Sequence, residues 1–172
     1  GYDVLIAAVQ RLSGSPGLVL FHACLVFLAF FTIRRSAGLS AADPLTLAGC
    51  LLLGVMASEL RFEARPELVS YLFLALVLHL LHRRGLGLPS PLCLLPLIHL
   101  VWANCHSLFV LGWVALGCFW VGGWIRNRRP DRDLLGWGVA SAAAAFVSPY
   151  GWRGVAQTLT LATRLNASHP FA

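Results

Sequence analysis

Long apolar stretches, separated by short loops that carry arginine, make up most of this chain. The longest uncharged stretch extends from Gly85 to Ile125 and is interrupted once, by the polar hexapeptide Trp102–Ser107. A membrane-spanning helix needs about 20 apolar residues at about 1.5 Å per residue, so this stretch predicts two spans. Unpaired hydrogen-bonding groups are costly in lipid, so we expect the hexapeptide at a membrane surface or in a protein-lined cavity.

The same pattern predicts an all-α fold, a polytopic bundle of about six transmembrane helices forming a single domain over residues 1–172. An interfacial helix is predicted at each end, over residues 2–12 and 152–165. The predicted spans are 18–33, 44–60, 66–82, 91–103, 108–125 and 134–148. The run Gly14-Ser15-Pro16-Gly17 predicts a break after the first helix, and Pro44 suits a first helical turn.

Composition supports a membrane protein and excludes an ordinary soluble domain. The chain is 58% hydrophobic and 12% charged, with a mean hydropathy of +0.75, whereas soluble domains carry about 25% charged residues. The net charge is +6, and every basic residue is arginine. These arginines cluster in loops between apolar stretches, which is typical of topology signals, so no nucleic-acid partner is predicted.

Arginine placement also predicts an orientation in the membrane. Loops 34–43, 83–90 and 126–133 fall on one side if there are six spans, and the positive-inside rule puts that side in the cytoplasm. The hexapeptide, the loop 61–67 and the turn at Pro149 then share the outer side. We therefore expect both termini on the outer side of the membrane and the lipid bilayer as the surroundings of the chain.

The loop before the third predicted span contains the first candidate binding residues. Arg61 and Arg65 alternate with acidic residues, and Arg65 precedes Pro66 at a predicted helix N-terminus. A guanidinium fork matches phosphate oxygens, and the helix dipole favours an anion there, so the pair could clamp a phosphate or pyrophosphate. The alternative is a solvated loop whose charges pair with one another.

The hexapeptide contains the second candidate group. Asn104 and His106 could hydrogen-bond a polar substrate or orient a catalytic carboxylate, since imidazole changes protonation near neutral pH. The alternative is a capped helical hairpin, in which Asn104 or Ser107 caps the fifth span and Trp102 anchors at the interface.

The remaining histidines and cysteines predict no metal site or cofactor. His79 and His82 share one helix face beside an arginine pair, which favours an interfacial role over haem or pigment ligation. None of the five cysteines forms a CxxC pair, and most lie within apolar stretches, where cysteine is usually a small hydrophobic side chain. Neither a disulfide framework nor a zinc site is therefore predicted.

Three motifs together resemble those of large bacterial polytopic membrane proteins of the GT-C glycosyltransferase type, which implies a bacterial cytoplasmic (inner) membrane with the outer side, and both termini, in the periplasm. The motifs are Arg65-Pro66-Glu67-Leu68-Val69-Ser70-Tyr71-Leu72, Trp102-Ala103-Asn104-Cys105-His106-Ser107-Leu108-Phe109-Val110-Leu111-Gly112 and Ser148-Pro149-Tyr150-Gly151. In this chain Ser107 stands where the pattern has glycine, and Ser148 stands where it has asparagine.

The resemblance implies transfer of a sugar from a polyprenyl-phosphate donor to an acceptor on the outer face of the membrane. Arg61 and Arg65 would hold the donor phosphate, and Asn104 and His106, with Tyr150 as a further substrate contact, would bind the sugar or orient the acid. The resemblance also implies a catalytic acid in an outer loop that precedes this chain. We therefore expect an N-terminally truncated, inactive module and assign no catalytic residue.

A non-catalytic transmembrane scaffold subunit of a larger redox or photosynthetic membrane complex is the alternative function. Trp113, Trp120 and Trp124 are spaced seven and four residues apart, so they share one side of a helix and could pack against a partner subunit. A transporter is less favoured, because acidic residues are scarce within the predicted spans.

Overall fold

The computed structural model describes residues 1–58, 66–147, 151–154, 156 and 160. This part of the chain is helical and contains no strand, which confirms the predicted all-α class. The α-helices are α1 (Tyr2–Gly38), α2 (Pro44–Ser58), α3 (Glu67–Gly85), α4 (Leu94–Cys105), α5 (Val110–Asn127) and α6 (Arg132–Ala145). A 3₁₀ helix, Ser107–Phe109, leads into α5.

Three segments are long and apolar enough to cross a membrane, namely Tyr2–Gly38, Glu67–Gly85 and Ser107–Asn127. Helices α2 and α4 are apolar but shorter. Helix α4, with 12 residues, is about 18 Å long, less than the roughly 30 Å of a bilayer core. The predicted membrane character is therefore supported by three helices.

Helix α1 contains the predicted break. Gly14 adopts φ 63° and ψ −161°, a conformation outside the helical region that glycine tolerates best. The hydroxyl of Tyr2 lies 2.8 Å from Nε2 of His22, although twenty residues of straight helix would separate them by about 30 Å. The segment before Gly14 therefore folds back along the segment after it. The predicted separation of 2–12 from 18–33 is thus observed as a reversal at Gly14, with Pro16 already in the following helix.

The main core lies among α3, α4, α5 and α6. Trp102 and Leu95 of α4 are fully buried against apolar side chains from the other three helices. A second, smaller cluster joins α1 to the start of α3 through Tyr2, Leu25 and Leu68. One face of α4 is thus buried in the bundle, whereas Leu97 and Val101 on its other face are exposed.

Helix α2 differs, because none of its residues is buried. Asp43 caps its start by accepting hydrogen bonds from the backbone N–H of Thr46, at 2.8 Å, and from its hydroxyl, at 2.9 Å. Pro44 occupies the first turn, as predicted. Leu45, Leu52 and other large apolar side chains of this helix are exposed, so α2 is held to the bundle mainly beside α1.

The arginine-bearing loops meet at one end of the bundle. Arg84 at the end of α3 binds Asp131 in front of α6 through two hydrogen bonds, at 2.9 and 3.0 Å. At the end of α1, the Ser36 hydroxyl lies 2.7 Å from Nδ1 of His79, and the Ser40 hydroxyl lies 2.8 Å from Nε2 of His82. The two histidines therefore join α1 to α3 at this end, where an interfacial role was predicted.

Helix boundaries differ from the predicted spans by a few residues. Helix α3 continues to Gly85. Its last turn includes Arg83 and Arg84, whose positive charges interact favourably with the negative end of the helix dipole. Helix α6 begins at Arg132 instead of residue 134, because Asp131 caps it. Predicted segments 59–60 and 148 and most of 152–165 lie outside the described residues.

Candidate functional site

The hexapeptide forms the turn between α4 and α5. Helix α4 ends at Cys105, and His106 adopts an extended conformation with φ −155° and ψ 147°. Its Nδ1 accepts a long hydrogen bond, 3.5 Å, from the backbone N–H of Leu108 at the start of the 3₁₀ helix. The capping role expected of Asn104 or Ser107 is therefore filled by His106, because its ring lies over the first free N–H groups of the next helix.

Ser70 of α3 binds both sides of this turn. The indole Nε1–H of fully buried Trp102 donates to Ser70 Oγ at 2.9 Å. Ser70 Oγ lies 2.9 Å from His106 Nδ1. Because indole can only donate and Nδ1 also accepts from Leu108, the serine hydroxyl donates to Nδ1. A neutral His106 then carries its proton on Nε2.

Burial controls the protonation of His106. The surrounding protein lowers the pKa of its imidazole below the ordinary value, and the negative charge of Glu67 opposes this shift. Burial is the larger cause, so His106 is neutral at pH 7 and presents an N–H donor at Nε2. A neutral donor of this kind can hydrogen-bond a hydroxyl or a phosphate oxygen without a buried positive charge.

Asn104 connects the turn to α6. Its side-chain amide donates to the carbonyl of Leu100 at 2.7 Å and makes a longer hydrogen bond of 3.5 Å to the carbonyl of Val147. The side-chain nitrogen is therefore used by the protein itself. Its Oδ1 is the atom that remains for the predicted contact with a substrate.

These contacts bring residues of the first two motifs, and the residue that precedes the third, to one place. Ser70 belongs to the first motif, Trp102 and His106 to the second, and Val147 directly precedes the third. Arg61, Arg65 and Tyr150 lie outside the described residues, so their proposed contacts stay predictions.

The beginning of α1 also lies at this end. A Cβ on Gly1 would collide with the backbone carbonyl of Asn104, so the two backbones are in close contact. Tyr2 packs in a cluster with Leu68, and Cys105 lies against it. Asp3, in the first turn of α1, and Glu67, in the first turn of α3, are thus two carboxylates near the turn.

Ser70 is the functional candidate that sequence reasoning missed. A signal was present, since Ser70 is the serine of the quoted Arg-Pro motif, but only its contacts with Trp102 and His106 give it a role.

His99 lies one turn before the hexapeptide and packs against Gly112, the last residue of the second motif. Its Nδ1–H donates to the Leu95 carbonyl at 2.9 Å, and its ring is fully buried. Nε2 has no hydrogen-bond partner among the described residues, and it faces Gly112 so closely that a Cβ there would collide with it. His99 is therefore a packed core residue with no room for an axial ligand at Nε2.

The tryptophans of α5 are divided between the bundle and its surface. Trp113 packs edge-on against Phe109, with ring centroids 5.1 Å apart, and Trp120 donates from its indole to the Asp131 carbonyl at 3.1 Å. Trp124 is 48% exposed. Two of the three side chains proposed to contact a partner subunit are thus used within the chain.

Comparison with protein-family models, curated proteins and solved structures gives no match for this chain.

Proposed function

We propose that this chain is a glycosyltransferase-like membrane module that binds a polyprenyl-phosphate-linked sugar at the hexapeptide end of its bundle. The observation that carries the proposal is the hydrogen-bonded chain Trp102–Ser70–His106, which joins the first motif to the second. Binding sites use a small number of placed polar groups to fix the orientation of a ligand, and this convergence provides such groups.

The proposed site combines a phosphate-binding and a sugar-binding part. Arg61 and Arg65 would bind the donor phosphate through their guanidinium forks. His106 would donate from Nε2, and the Asn104 Oδ1 would accept, at the sugar hydroxyls. Asp3 and Glu67 are two carboxylates near this turn, and we assign neither a catalytic role.

The proposal includes a six-span topology in a bacterial cytoplasmic membrane. Two observations support alternating helix directions. The hexapeptide joins α4 to α5 at one end of the bundle, and Arg84 at the end of α3 meets Asp131 at the start of α6 at the other. The arginine-bearing end would face the cytoplasm, in keeping with the positive-inside rule. Short helices such as α4 would be accommodated by local thinning of the bilayer.

The test is binding of a polyprenyl phosphate to the full-length protein in nanodiscs. We expect Arg65→Gln to weaken binding by about tenfold or more, because it removes a charge-assisted hydrogen bond. Arg129→Gln at the opposite end removes the same charge and should bind as wild type does. Unchanged binding by Arg65→Gln, or equal loss in both variants, contradicts the phosphate site.

His106→Asn tests the sugar-binding part separately. Asparagine keeps an acceptor for Ser70 but removes the Nε2 donor, so binding of a polyprenyl-phosphate sugar should weaken while binding of the polyprenyl phosphate alone stays unchanged. An equal effect on both lipids would show that His106 serves only the fold.

A scaffold subunit is the second candidate, and α2 is the observation that favours it. None of its residues is buried, and Leu45, Leu52, Leu53 and Met56 are each more than half exposed. In-membrane photo-crosslinking from position 53 tests this reading. A discrete protein adduct that co-purifies with the chain would support a scaffold, whereas crosslinks to lipid alone would count against it.

A further inference from the structure

A cleft between the end of α1 and the beginning of α2 combines positive charge with an apolar wall. Its volume is about 450 Å³, and it is lined by Arg34, Arg35, Gly38, Ala42, Pro44, Leu47, Ala48 and Leu51. The arginines come from α1, and the apolar side chains come mostly from the first two turns of α2. The cleft lies at the arginine-bearing end of the bundle, away from the hexapeptide.

The charges of Arg34 and Arg35 are not neutralised by the described part of the protein. Both side chains are exposed, and neither forms an ion pair with a described residue. The guanidinium of Arg35 lies 5.9 Å from the ring centroid of Phe31, a contact that orients it without cancelling its charge. Asp43, the acidic residue nearest in sequence, keeps its negative charge while it accepts the two hydrogen bonds that cap α2, and it forms no ion pair with either arginine.

The other wall of the cleft is suited to hydrocarbon. Leu47 and Leu51 are one helical turn apart, so they form a continuous apolar strip that leads away from the arginines. Helix α2 buries none of its residues, so little protein separates this strip from the surroundings. A molecule that fills the cleft must therefore be anionic at one end and apolar along its length.

We propose that this cleft binds an anionic phospholipid, with its phosphate on Arg34 and Arg35 and an acyl chain along Leu47 and Leu51. Basic pockets between transmembrane helices are suited to anionic lipid head groups, and the charge complementarity here is of that kind. The lipid would fill the gap between α1 and α2 and fasten α2 to the bundle. This site is independent of the proposed donor site, which lies at the opposite end.

The experiment is native mass spectrometry of the full-length protein, purified in detergent and titrated with phosphatidylglycerol or phosphatidylcholine. We expect phosphatidylglycerol to be retained preferentially by the wild type. The double variant Arg34→Gln/Arg35→Gln should weaken that binding by about tenfold or more. The control, Arg128→Asn/Arg129→Gln, removes two charges from the loop before α6 and should bind as wild type does; asparagine suits the positive φ of Arg128.

A second variant separates the cleft from general surface charge. Ala48→Trp keeps both arginines and fills the cleft from an exposed position on α2, so it should also weaken phosphatidylglycerol binding. Circular dichroism checks that both variants keep the wild-type helix content. The proposal is overturned if both double variants lose binding equally, if Ala48→Trp binds as wild type does, or if the two lipids bind equally well.

Discussion

Single polar side chains at the hexapeptide end fasten helices to one another. Ser70 accepts from Trp102 and donates to His106, and Asn104 donates to Val147 at the end of α6. Inside an apolar bundle an unmade hydrogen bond costs about 1–3 kcal/mol, so such pairs specify which helix ends meet. Any ligand bound here therefore meets donors and acceptors that are already held in position.

Close packing at Gly112 gives the first prediction at the residue scale. A Cβ there would collide with the His99 ring and lie 2.9 Å from Cζ3 of Trp102, so Gly112→Ala should lower the free energy of unfolding by about 1–3 kcal/mol. Thermal unfolding in detergent measures the effect. Gly123→Ala, on the same helix with open space around it, should be neutral or slightly stabilising. Equal melting temperatures for the two variants would contradict the packing argument.

The protonation of His106 gives the second prediction at the residue scale. Burial places its pKa below the ordinary 6.5, so near that pH the unfolded chain binds more protons than the folded one. Stability should therefore fall as the pH drops below about 6.5, until the folded pKa is reached. His106→Asn cannot titrate, so its unfolding free energy should depend less steeply on pH. Parallel curves for the variant and the wild type would show that His106 does not contribute.

At the scale of the element, the decisive features lie at helix ends and breaks. Gly14 reverses α1, His106 ends α4 and begins the 3₁₀ helix, and Asp131 begins α6. His106 and Asp131 each combine a cap with a contact to α3, whereas Gly14 acts through its backbone conformation. The breaks therefore position the bundle ends as well as terminate the helices.

The reversal at Gly14 predicts coupling between two residues of α1. Alanine disfavours the Gly14 conformation, so Gly14→Ala should straighten the break and separate Tyr2 from His22. Tyr2→Phe alone should lower the free energy of unfolding by about 1 kcal/mol, because it removes the hydroxyl that donates to His22. In the Gly14→Ala background the same change should cost almost nothing. Additive effects in this double-mutant cycle would contradict the reversal.

The two contacts of Asp131 predict that its variants lower the free energy of unfolding by different amounts. Asp131→Asn keeps a capping oxygen for the Leu134 N–H but loses the ion pair with Arg84, which is partly exposed and worth about 1 kcal/mol or less. Asp131→Ala loses the cap as well and should cost about 1 kcal/mol more. Asp133→Asn loses only a 3.3 Å contact at an exposed position and is the control. Equal losses in the alanine and asparagine variants would exclude a capping role.

At the scale of the whole molecule, the bundle has two chemically different ends. One end combines the hexapeptide with Ser70, Val147 and the start of α1, and the other combines Arg84 and Asp131 with the histidines of α3. Separation of this kind is expected of a chain that crosses a membrane with an arginine-rich side.

Cysteine labelling tests the proposed sidedness. In a cysteine-free background, Ser40→Cys and Asn127→Cys should react with a membrane-impermeant maleimide only after the cytoplasmic side is opened. Ser107→Cys should react in intact spheroplasts, because it lies at the hexapeptide end. Labelling of Ser107→Cys and Asn127→Cys from the same side would contradict the topology.

The amino-acid sequence by itself determined that the chain is helical and membrane-like, where the breaks at Gly14 and the hexapeptide fall, and that arginine marks particular loops. Local composition and residue spacing carry that information. Ser70 was not found as a partner of His106, because a hydrogen bond across thirty-six residues leaves no local pattern. The return of Tyr2 to His22 likewise depends on the Gly14 dihedral angles.

Only the tertiary structure decided which apolar helix buries one face against protein and which buries none of its residues. Helix α4 lies in the core with Trp102 and Leu95 fully buried, while α2, equally apolar in its sequence, buries nothing. Lipid chains and protein interiors are similarly apolar, so hydrophobicity alone does not distinguish a helix surrounded by protein from one that faces lipid. The arginine cleft likewise exists only in the folded chain, because its walls come from two helices, α1 and α2.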